Sequence, residues 1–300
     1  MSKKRMMACV IAWSLFLLWG FSIPANAQQK MHHRKAETKG TGILLVTFGT
    51  SIPEAQGAFA DIEKRVHAAF PEIPVRWAYT SVIIRKKLAK TGQVLDSPTV
   101  ALAKMMEEGF TRVAVQSLHI IPGAEFHDLR MTADAFTEMS DGFEQLRIGY
   151  PALSSTEDLS KAVDAVIGII PEERKKDEAV VLMGHGTHHP ANVYYEAMMY
   201  RLQQKDPNIY MGTVEGTPSL DDVRAMLLER GVKKAYLIPF MSVAGDHARN
   251  DMAGEEADSW KSILTDTGIE CVPMMKGLAE YDAFAEIWVD HLRAVMDRMN

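Results

Sequence analysis

Three side chains of metal-binding types each follow an apolar run of strand length in the second half of the sequence. His185 lies between Gly184 and Gly186, and Glu215 and His247 stand just beyond two later runs. Two imidazoles and one carboxylate suit a borderline ion such as Co²⁺, Ni²⁺, Fe²⁺ or Zn²⁺ better than Mg²⁺ or Ca²⁺, which prefer oxygen ligands. Three protein ligands leave coordination positions open, so such a site can pass its metal on or activate a water molecule.

Each of these residues also has a structural explanation. A histidine in a glycine turn is often structural, a glutamate beside a helix start can interact with the helix dipole, and Asp246 can cap a following helix. Asp246 or Asp251 can equally orient the His247 ring, as metal-binding imidazoles generally require. The residues alone therefore predict metal binding and leave the reaction undecided. A hydrolase that uses a metal-bound water is one alternative, with no substrate motif to support it.

Other histidines are given simpler roles. We expect His119, which follows a strand, to pack in the core. His188 and His189 either line a cleft or lead into a helix that starts at Pro190. Because the sequence contains no G-x-x-x-x-G-K-[ST] phosphate loop, no nucleotide is expected.

The elements that position these residues alternate between strand-length apolar runs and amphipathic helical segments, which is typical of an α/β fold with parallel sheets. The predicted strands are 43–48, 75–79, 112–118, 179–183, 209–214, 235–240 and 269–273. The predicted helices are 53–69, 99–108, 191–204, 219–229 and 280–296.

The two halves of the chain repeat one plan. Residues 43–51 match 180–188, and residues 109–123 match 231–245. Two residues beyond the closing glycine stand Glu125 in the first half and His247 in the second. This internal duplication predicts an N-terminal α/β lobe at 41–150 and a C-terminal lobe at 151–300, with the predicted metal ligands on the second lobe. The carboxyl ends of the strands would then surround a shared cleft, where ligands of α/β sheets bind.

The first residues predict export. Lys3, Lys4 and Arg5 precede an apolar run, and residues 25–27 read Ala-Asn-Ala, so 1–27 is interpreted as a cleavable signal peptide and 28–40 as a flexible tether. We therefore expect a periplasmic protein without stable membrane insertion after cleavage. Loss of the three basic residues leaves 30 of the 33 Lys and Arg against 39 Asp and Glu, so nucleic acid is not an expected partner.

Four motifs resemble those of a known family: LLVTFGTS at 44–51, LHIIPGAEF at 118–126, MGHGTHHP at 183–190 and VAGDHARNDMAG at 243–254. Over about residues 41–297 the chain is similar to the anaerobic, class II, ATP-independent sirohydrochlorin cobaltochelatases. The resemblance implies two Rossmann-like (chelatase-type) lobes and a lyase reaction that inserts Co²⁺, or Fe²⁺ or another divalent metal, into sirohydrochlorin or a related tetrapyrrole without ATP.

The resemblance also implies roles for four residues. His185 and His247 fall on the family's catalytic metal-site histidines, and Glu215 falls on the acidic third ligand. Glu125, in the GAEF turn, falls on an acidic cleft residue that helps to deprotonate the macrocycle or to guide the metal. Such a set is needed because planar metal insertion displaces two pyrrole N–H protons while the ion is held nearby.

Two features depart from the family's usual setting. Cobalt chelation for cobalamin biosynthesis is normally cytoplasmic, so the export signal leaves a periplasmic protein that binds or transports metal or haem through the same cleft as an alternative. His127 stands where relatives tend to carry an acid, and it is either a surface histidine or an axial ligand to haem b between subunits of the homo-oligomer we expect. Without a C-x-x-C-H motif, such a haem would be non-covalent.

Overall fold

Eight parallel strands form two four-stranded sheets in the computed structural model, which describes residues 39–299. The first sheet has the order β2-β1-β3-β4 and contains β1 (Gly40–Thr47), β2 (Val75–Tyr79), β3 (Phe110–Ser117) and β4 (Gln145–Gly149). The second sheet has the order β6-β5-β7-β8 and contains β5 (Ala179–Gly184), β6 (Ile209–Thr213), β7 (Lys234–Pro239) and β8 (Glu270–Pro273). The shared strand order confirms the predicted two-lobe α/β repeat.

The strands form where the sequence carries continuous apolar runs. In β1 and β5, the central strands of the two sheets, the residues from Ile43 to Thr47 and from Ala179 to Gly184 are buried, as expected for strands covered on both faces. All seven predicted strands are present, with ends shifted by no more than a few residues. The sequence prediction lacked β4, an edge strand in which polar and apolar residues alternate.

Helices connect the strands. They are α1 (Gly57–Ala69), α2 (Val82–Ala89), α3 (Pro98–Glu107), α4 (Ala124–Glu138), α5 (Thr156–Ile169), α6 (Val193–Lys205), α7 (Leu220–Glu229), α8 (Trp260–Asp266) and α9 (Asp282–Asp297). Short 3-10 turns at Pro53–Gln56 and Pro190–Asn192 precede α1 and α6. The five predicted helices are present, whereas α2, α4, α5 and α8 were not predicted.

The last helix links the two sheets. α9 follows β8 of the second sheet in the chain, yet it packs against β3 and β4 of the first sheet and against α5. Its Trp288 is buried, and the indole N–H donates a hydrogen bond to the carbonyl oxygen of His119 at 3.0 Å. A helix from the C-terminal part of the chain therefore completes the core beneath the first sheet.

Loops beyond the carboxyl ends of the two sheets meet each other. The hydroxyl of Ser242, beyond β7, donates to the carbonyl oxygen of Leu118, beyond β3, at 2.7 Å. The ring of Phe48, beyond β1, lies 6.2 Å from that of His185, beyond β5, measured between centroids. The strand ends that hold the predicted site residues therefore face one region. This region, defined by Phe48, Leu118, His185 and Ser242, is here called the interlobe junction.

The predicted signal peptide at 1–27 and residues 28–38 of the predicted tether lie outside the described residues. Gly40, which the sequence prediction placed at the end of the tether, is the first residue of β1. Within residues 39–299, no helix has the length and apolar character needed to cross a membrane.

Candidate metal site

His185 is the first residue after β5, at the interlobe junction. Gly186 has a φ of +81°, a left-handed conformation that glycine adopts without steric cost. A Cβ at this position would lie 2.7 Å from the carbonyl carbon of Glu215, so the turn packs directly against the loop that follows β6. The Nδ1 of His185 lies 3.0 Å from the carbonyl oxygen of Gly186. Because a carbonyl can only accept, Nδ1 carries the proton and Nε2 keeps its lone pair for a metal.

Tyr195 supports this turn from below. The ring packs against Gly184, where an added Cβ would lie 2.5 Å from it. Burial raises the pKa of Tyr195 to about 12, and the nearby backbone N–H groups of Gly186 and His185 lower the pKa by a smaller amount. The role of Tyr195 could not be predicted from the sequence, because nothing local marks a tyrosine in the first turn of α6 as a partner of a turn eight residues earlier.

His247 stands just before a π-helical turn at Ala248–Met252. Such turns are rare and occur frequently at functional sites. The Nδ1 of His247 lies 2.5 Å from Oδ2 of Asp251. This charge-assisted hydrogen bond fixes the tautomer and leaves Nε2 free, as metal-binding histidines generally require. Of the two aspartates that could orient His247, Asp251 makes the contact, and Asp246 is exposed.

The two imidazoles lie together. Their centroids are 4.8 Å apart and their planes meet at 89°. An imidazole nitrogen binds a transition metal at about 2.0–2.1 Å, and the separation of the two rings is compatible with one ion shared between them. The side chain of His247 is 33% exposed, which leaves the pair accessible to an incoming ion.

Glu215 lies on the loop after β6 that packs against the His185 turn, and Glu215 is exposed. Its backbone N–H donates to the carbonyl oxygen of His185 at 2.8 Å, which ties the two loops together. Among residues 39–299, however, no group of three or more His, Cys, Asp or Glu side chains is arranged to hold a metal ion. Glu215 as the third ligand therefore stays a prediction that requires its carboxylate to turn toward the imidazoles.

Glu125 occupies the first turn of α4, at the carboxyl end of the first sheet. Its Oε2 lies 3.0 Å from Nε2 of His119, whose side chain is only 10% exposed. His119 is therefore largely buried, as predicted, but it also contacts the acidic residue that the family resemblance singled out.

His127 lies on α4 and contacts the other lobe. Its Nδ1 lies 3.1 Å from Nε2 of His189, and the backbone N–H of Ala191 donates to Nδ1 of His189 at 3.1 Å. Because Nδ1 of His189 accepts this hydrogen bond, its Nε2 carries the proton. The Nε2–H group then donates a hydrogen bond to Nδ1 of His127. In this arrangement Nε2 of His127 is also protonated, so haem ligation at His127 requires a change of tautomer and stays a prediction.

Phe48 occupies the position in the first lobe that His185 occupies in the second. Its side chain follows β1, is 40% exposed, and packs beside the His185 ring. A separate pocket of about 540 Å³ opens near the amino-terminal ends of β1 and β3, where Thr41 and Arg112 line it. This pocket contains none of the predicted site residues.

Comparison with known proteins identifies the family of the chain. The sequence model of the family described as cobalt chelatase (CbiK) matches residues 41–297. The chain is 42% identical over 282 residues to the sirohydrochlorin cobaltochelatase CbiKC of Nitratidesulfovibrio vulgaris, covering 94% of this chain and 98% of that protein. It is 35% identical over 257 residues to the sirohydrochlorin cobaltochelatase of Salmonella typhimurium, covering 85% of this chain and 96% of that protein.

A solved structure shares the fold at much lower identity. SirB from Bacillus subtilis with Fe3+ superposes with a TM-score of 0.57 at 15% identity, and the match covers 85% of this chain and 95% of SirB. This likeness shows the two-lobe fold alone, whereas the family match and the two relatives extend over most of the sequence. The chain therefore belongs to the cobalt chelatase (CbiK) family.

Proposed function

We propose that this protein is a sirohydrochlorin cobaltochelatase, which inserts Co²⁺ into the macrocycle without ATP. The observation that carries the proposal is the pairing of His185 and His247 at the interlobe junction. In both rings Nδ1 is engaged by an acceptor, Gly186 O in one and Asp251 in the other, and Nε2 is free. Family membership narrows the chemistry of this two-imidazole site to metal transfer.

The metal substrate would be held first by the two imidazoles. Neutral imidazole is a good ligand for Co²⁺, but two such ligands leave the ion only partly enclosed. The macrocycle nitrogens can then replace them one by one. The exposed carboxylate of Glu215 is available as a third ligand that neutralises part of the positive charge before transfer.

The pyrrole protons require an acceptor. Insertion of Co²⁺ releases two N–H protons from the macrocycle, of which the carboxylate of Glu125 can accept one while the other passes to solvent water. This side chain is 38% exposed at the carboxyl end of the first sheet, opposite the lobe that carries the histidines. The two lobes thus divide the reaction, with proton removal on one side and metal delivery on the other.

Phe48 gives the site an apolar surface next to the metal-binding pair. Its exposed ring, beside His185, can pack against the flat face of a tetrapyrrole. A residue of this kind positions the macrocycle without competing for the metal.

The chelatase assay tests the proposal directly. The purified protein is mixed with sirohydrochlorin and Co²⁺, and the absorbance change of metal insertion is followed against the uncatalysed reaction. We expect catalysis that is lost in His185→Ala and in His247→Ala. His67→Ala, which removes an exposed imidazole on α1, is the matched control and should retain full activity.

Two results would overturn the proposal. The first is an insertion rate no faster than that without protein. The second is full activity in both His185→Ala and His247→Ala. Stoichiometric binding of Co²⁺ or haem without insertion would favour a metal- or haem-binding protein instead. Running the assay with Fe²⁺, Ni²⁺ and Zn²⁺ identifies the preferred metal, since these ions accept similar ligands.

We also propose that residues 1–27 direct export to the periplasm. The support is the basic start, apolar run and Ala-Asn-Ala of the sequence. N-terminal sequencing of the protein recovered from the periplasmic fraction should begin at Gln28. Recovery of the intact chain in the cytoplasm would contradict this.

A further inference from the structure

A buried series of polar contacts stands behind Glu125. It runs from the hydroxyl of Ser117, the last residue of β3, through the ring of His119 to the Glu125 carboxylate. The Ser117 Oγ lies 2.8 Å from Nδ1 of His119, and Nε2 of His119 lies 3.0 Å from Oε2 of Glu125. Ser117 is fully buried and His119 nearly so, whereas Glu125 is partly exposed. This series of contacts therefore leads from the core of the first lobe to the interlobe junction.

The tautomer of His119 follows from its partners, because Nε2 lies next to the Glu125 carboxylate and 3.5 Å from the hydroxyl oxygen of Thr80. A carboxylate can only accept, so Nε2 of His119 must carry the proton that faces Glu125. Nδ1 is then free to accept, and the Ser117 hydroxyl is positioned to donate to it. The contacts of His119 therefore direct its Nε2–H group toward the carboxylate.

The backbone of His119 is fixed as well. Its carbonyl oxygen accepts two hydrogen bonds at 3.0 Å, one from the Trp288 indole N–H and one from the backbone N–H of Ala152. Because ring and backbone are both held, the Glu125 carboxylate is tied at one oxygen, Oε2, to a rigid donor. Its second oxygen, Oε1, is left available for another partner.

We propose that His119 is a positioning residue for metal insertion, which holds the Glu125 carboxylate so that its second oxygen accepts a pyrrole proton. This inference rests on the proposed function. A close contact between a fixed imidazole N–H and a charged carboxylate favours one position of the carboxylate. Misplacement of a reacting group by about 1 Å can lower a rate by roughly a hundredfold, so loss of this contact should reduce turnover.

The first test is a pair of substitutions at position 119. His119→Ala should lower kcat for cobalt insertion by roughly ten- to a hundredfold, while KM for Co²⁺ stays near that of the wild type. His119→Gln, whose amide N–H can reach the carboxylate, should recover most of the lost kcat. A fall in Co²⁺ affinity equal to the fall in kcat would overturn the inference, because it would place His119 in the metal site.

The second test asks whether His119 acts through Glu125. Glu125→Gln alone should lower kcat, and His119→Ala added to it should lower kcat no further. If kcat of the double variant fell by the product of the two single losses, the inference would be overturned, because His119 would then act independently of Glu125. If His119→Ala fails to fold, as judged by circular dichroism, Ser117→Ala replaces it in the same cycle, with a smaller expected loss.

These outcomes can be separated from failure of the proposed function. An inactive wild-type protein would refute the chelatase proposal. An active wild type whose kcat is unchanged in both His119→Ala and Ser117→Ala would leave that proposal intact and refute the role of His119.

Discussion

The rings of His185 and His247 meet edge to face, with their centroids 4.8 Å apart. They come from two different strand ends of the same sheet, the first after β5 and the second after β7, and these two strands are neighbours in the sheet. Each ring uses Nδ1 to hold its own orientation, through a carbonyl in one case and a carboxylate in the other. The orientation of both rings is therefore held by the protein itself, as the proposed metal site requires.

Asp251→Asn tests the preorganisation of His247. The amide can present a donor to Nδ1 and so favour the tautomer in which Nε2 is protonated and cannot bind metal. Loss of such a supporting residue typically costs about 10- to 100-fold in metal affinity, and we expect a Co²⁺ dissociation constant raised by this amount in isothermal titration calorimetry.

The matched control is Asp246→Asn, which removes a charge at an exposed neighbouring position. Its Co²⁺ affinity should stay close to that of the wild type. Equal losses in the two variants would mean that local negative charge, and not orientation of the His247 ring, determines affinity.

Gly186→Ala tests the close approach of the two loops that carry His185 and Glu215. The substitution adds a Cβ to a left-handed turn, which costs about 1–2 kcal/mol, and places it 2.7 Å from the Glu215 backbone. We expect loss of Co²⁺ binding together with a lower free energy of unfolding in urea.

Gly231→Ala separates these two effects. Gly231 has a φ of +66°, but a Cβ there meets nothing within 4 Å. This variant should show the backbone cost alone, with Co²⁺ affinity unchanged. Unchanged Co²⁺ affinity in Gly186→Ala as well would refute the dependence of the site on this contact.

Tyr195→Phe tests the support beneath the His185 turn. The substitution removes the hydroxyl oxygen that lies near the backbone N–H groups of His185 and Gly186. An unsatisfied buried group costs about 1–3 kcal/mol, so the free energy of unfolding in urea should fall by an amount in this range. A variant as stable as the wild type would show that the turn holds without Tyr195.

Tyr195 should also make the free energy of unfolding depend on pH in the alkaline range. Burial raises its pKa from 10.0 to about 12, so the folded state keeps the proton longer than the unfolded state. This contribution is present below pH 10 and is lost as the pH rises from 10 toward 12. Between pH 9 and 11 the wild type should lose about 1 kcal/mol more stability than Tyr195→Phe. Identical pH profiles would place the titration elsewhere.

Much of the fold was predictable from the sequence because buried parallel strands are nearly continuous apolar runs. The repeat of 43–51 in 180–188 also predicted that both lobes share one plan, and the common strand order confirms it. The helices α4 and α5 were missed although α4 buries Phe126, Leu129 and Ala133 at helical spacing. The position of α9 on the first sheet could not be predicted from the sequence, because the pattern of an amphipathic helix does not specify which sheet it covers.

The site was predictable in part for similar reasons. Glycine turns after strands pointed to His185, and strand ends of one sheet necessarily meet at the same edge. The choice of Asp251 over Asp246 depended on the helical turn at Ala248–Met252, which places Asp251, four residues beyond His247, within reach of the His247 ring. The contacts of Tyr195 and His119 are tertiary or ring-specific, and no local pattern encodes them.

The most direct test of the metal site is a crystal of the protein soaked with Co²⁺ and measured at the cobalt absorption edge. An anomalous peak bonded to Nε2 of both His185 and His247, at about 2.0–2.2 Å, is the predicted result. A peak at another site, with both of these rings unbound, would contradict the account.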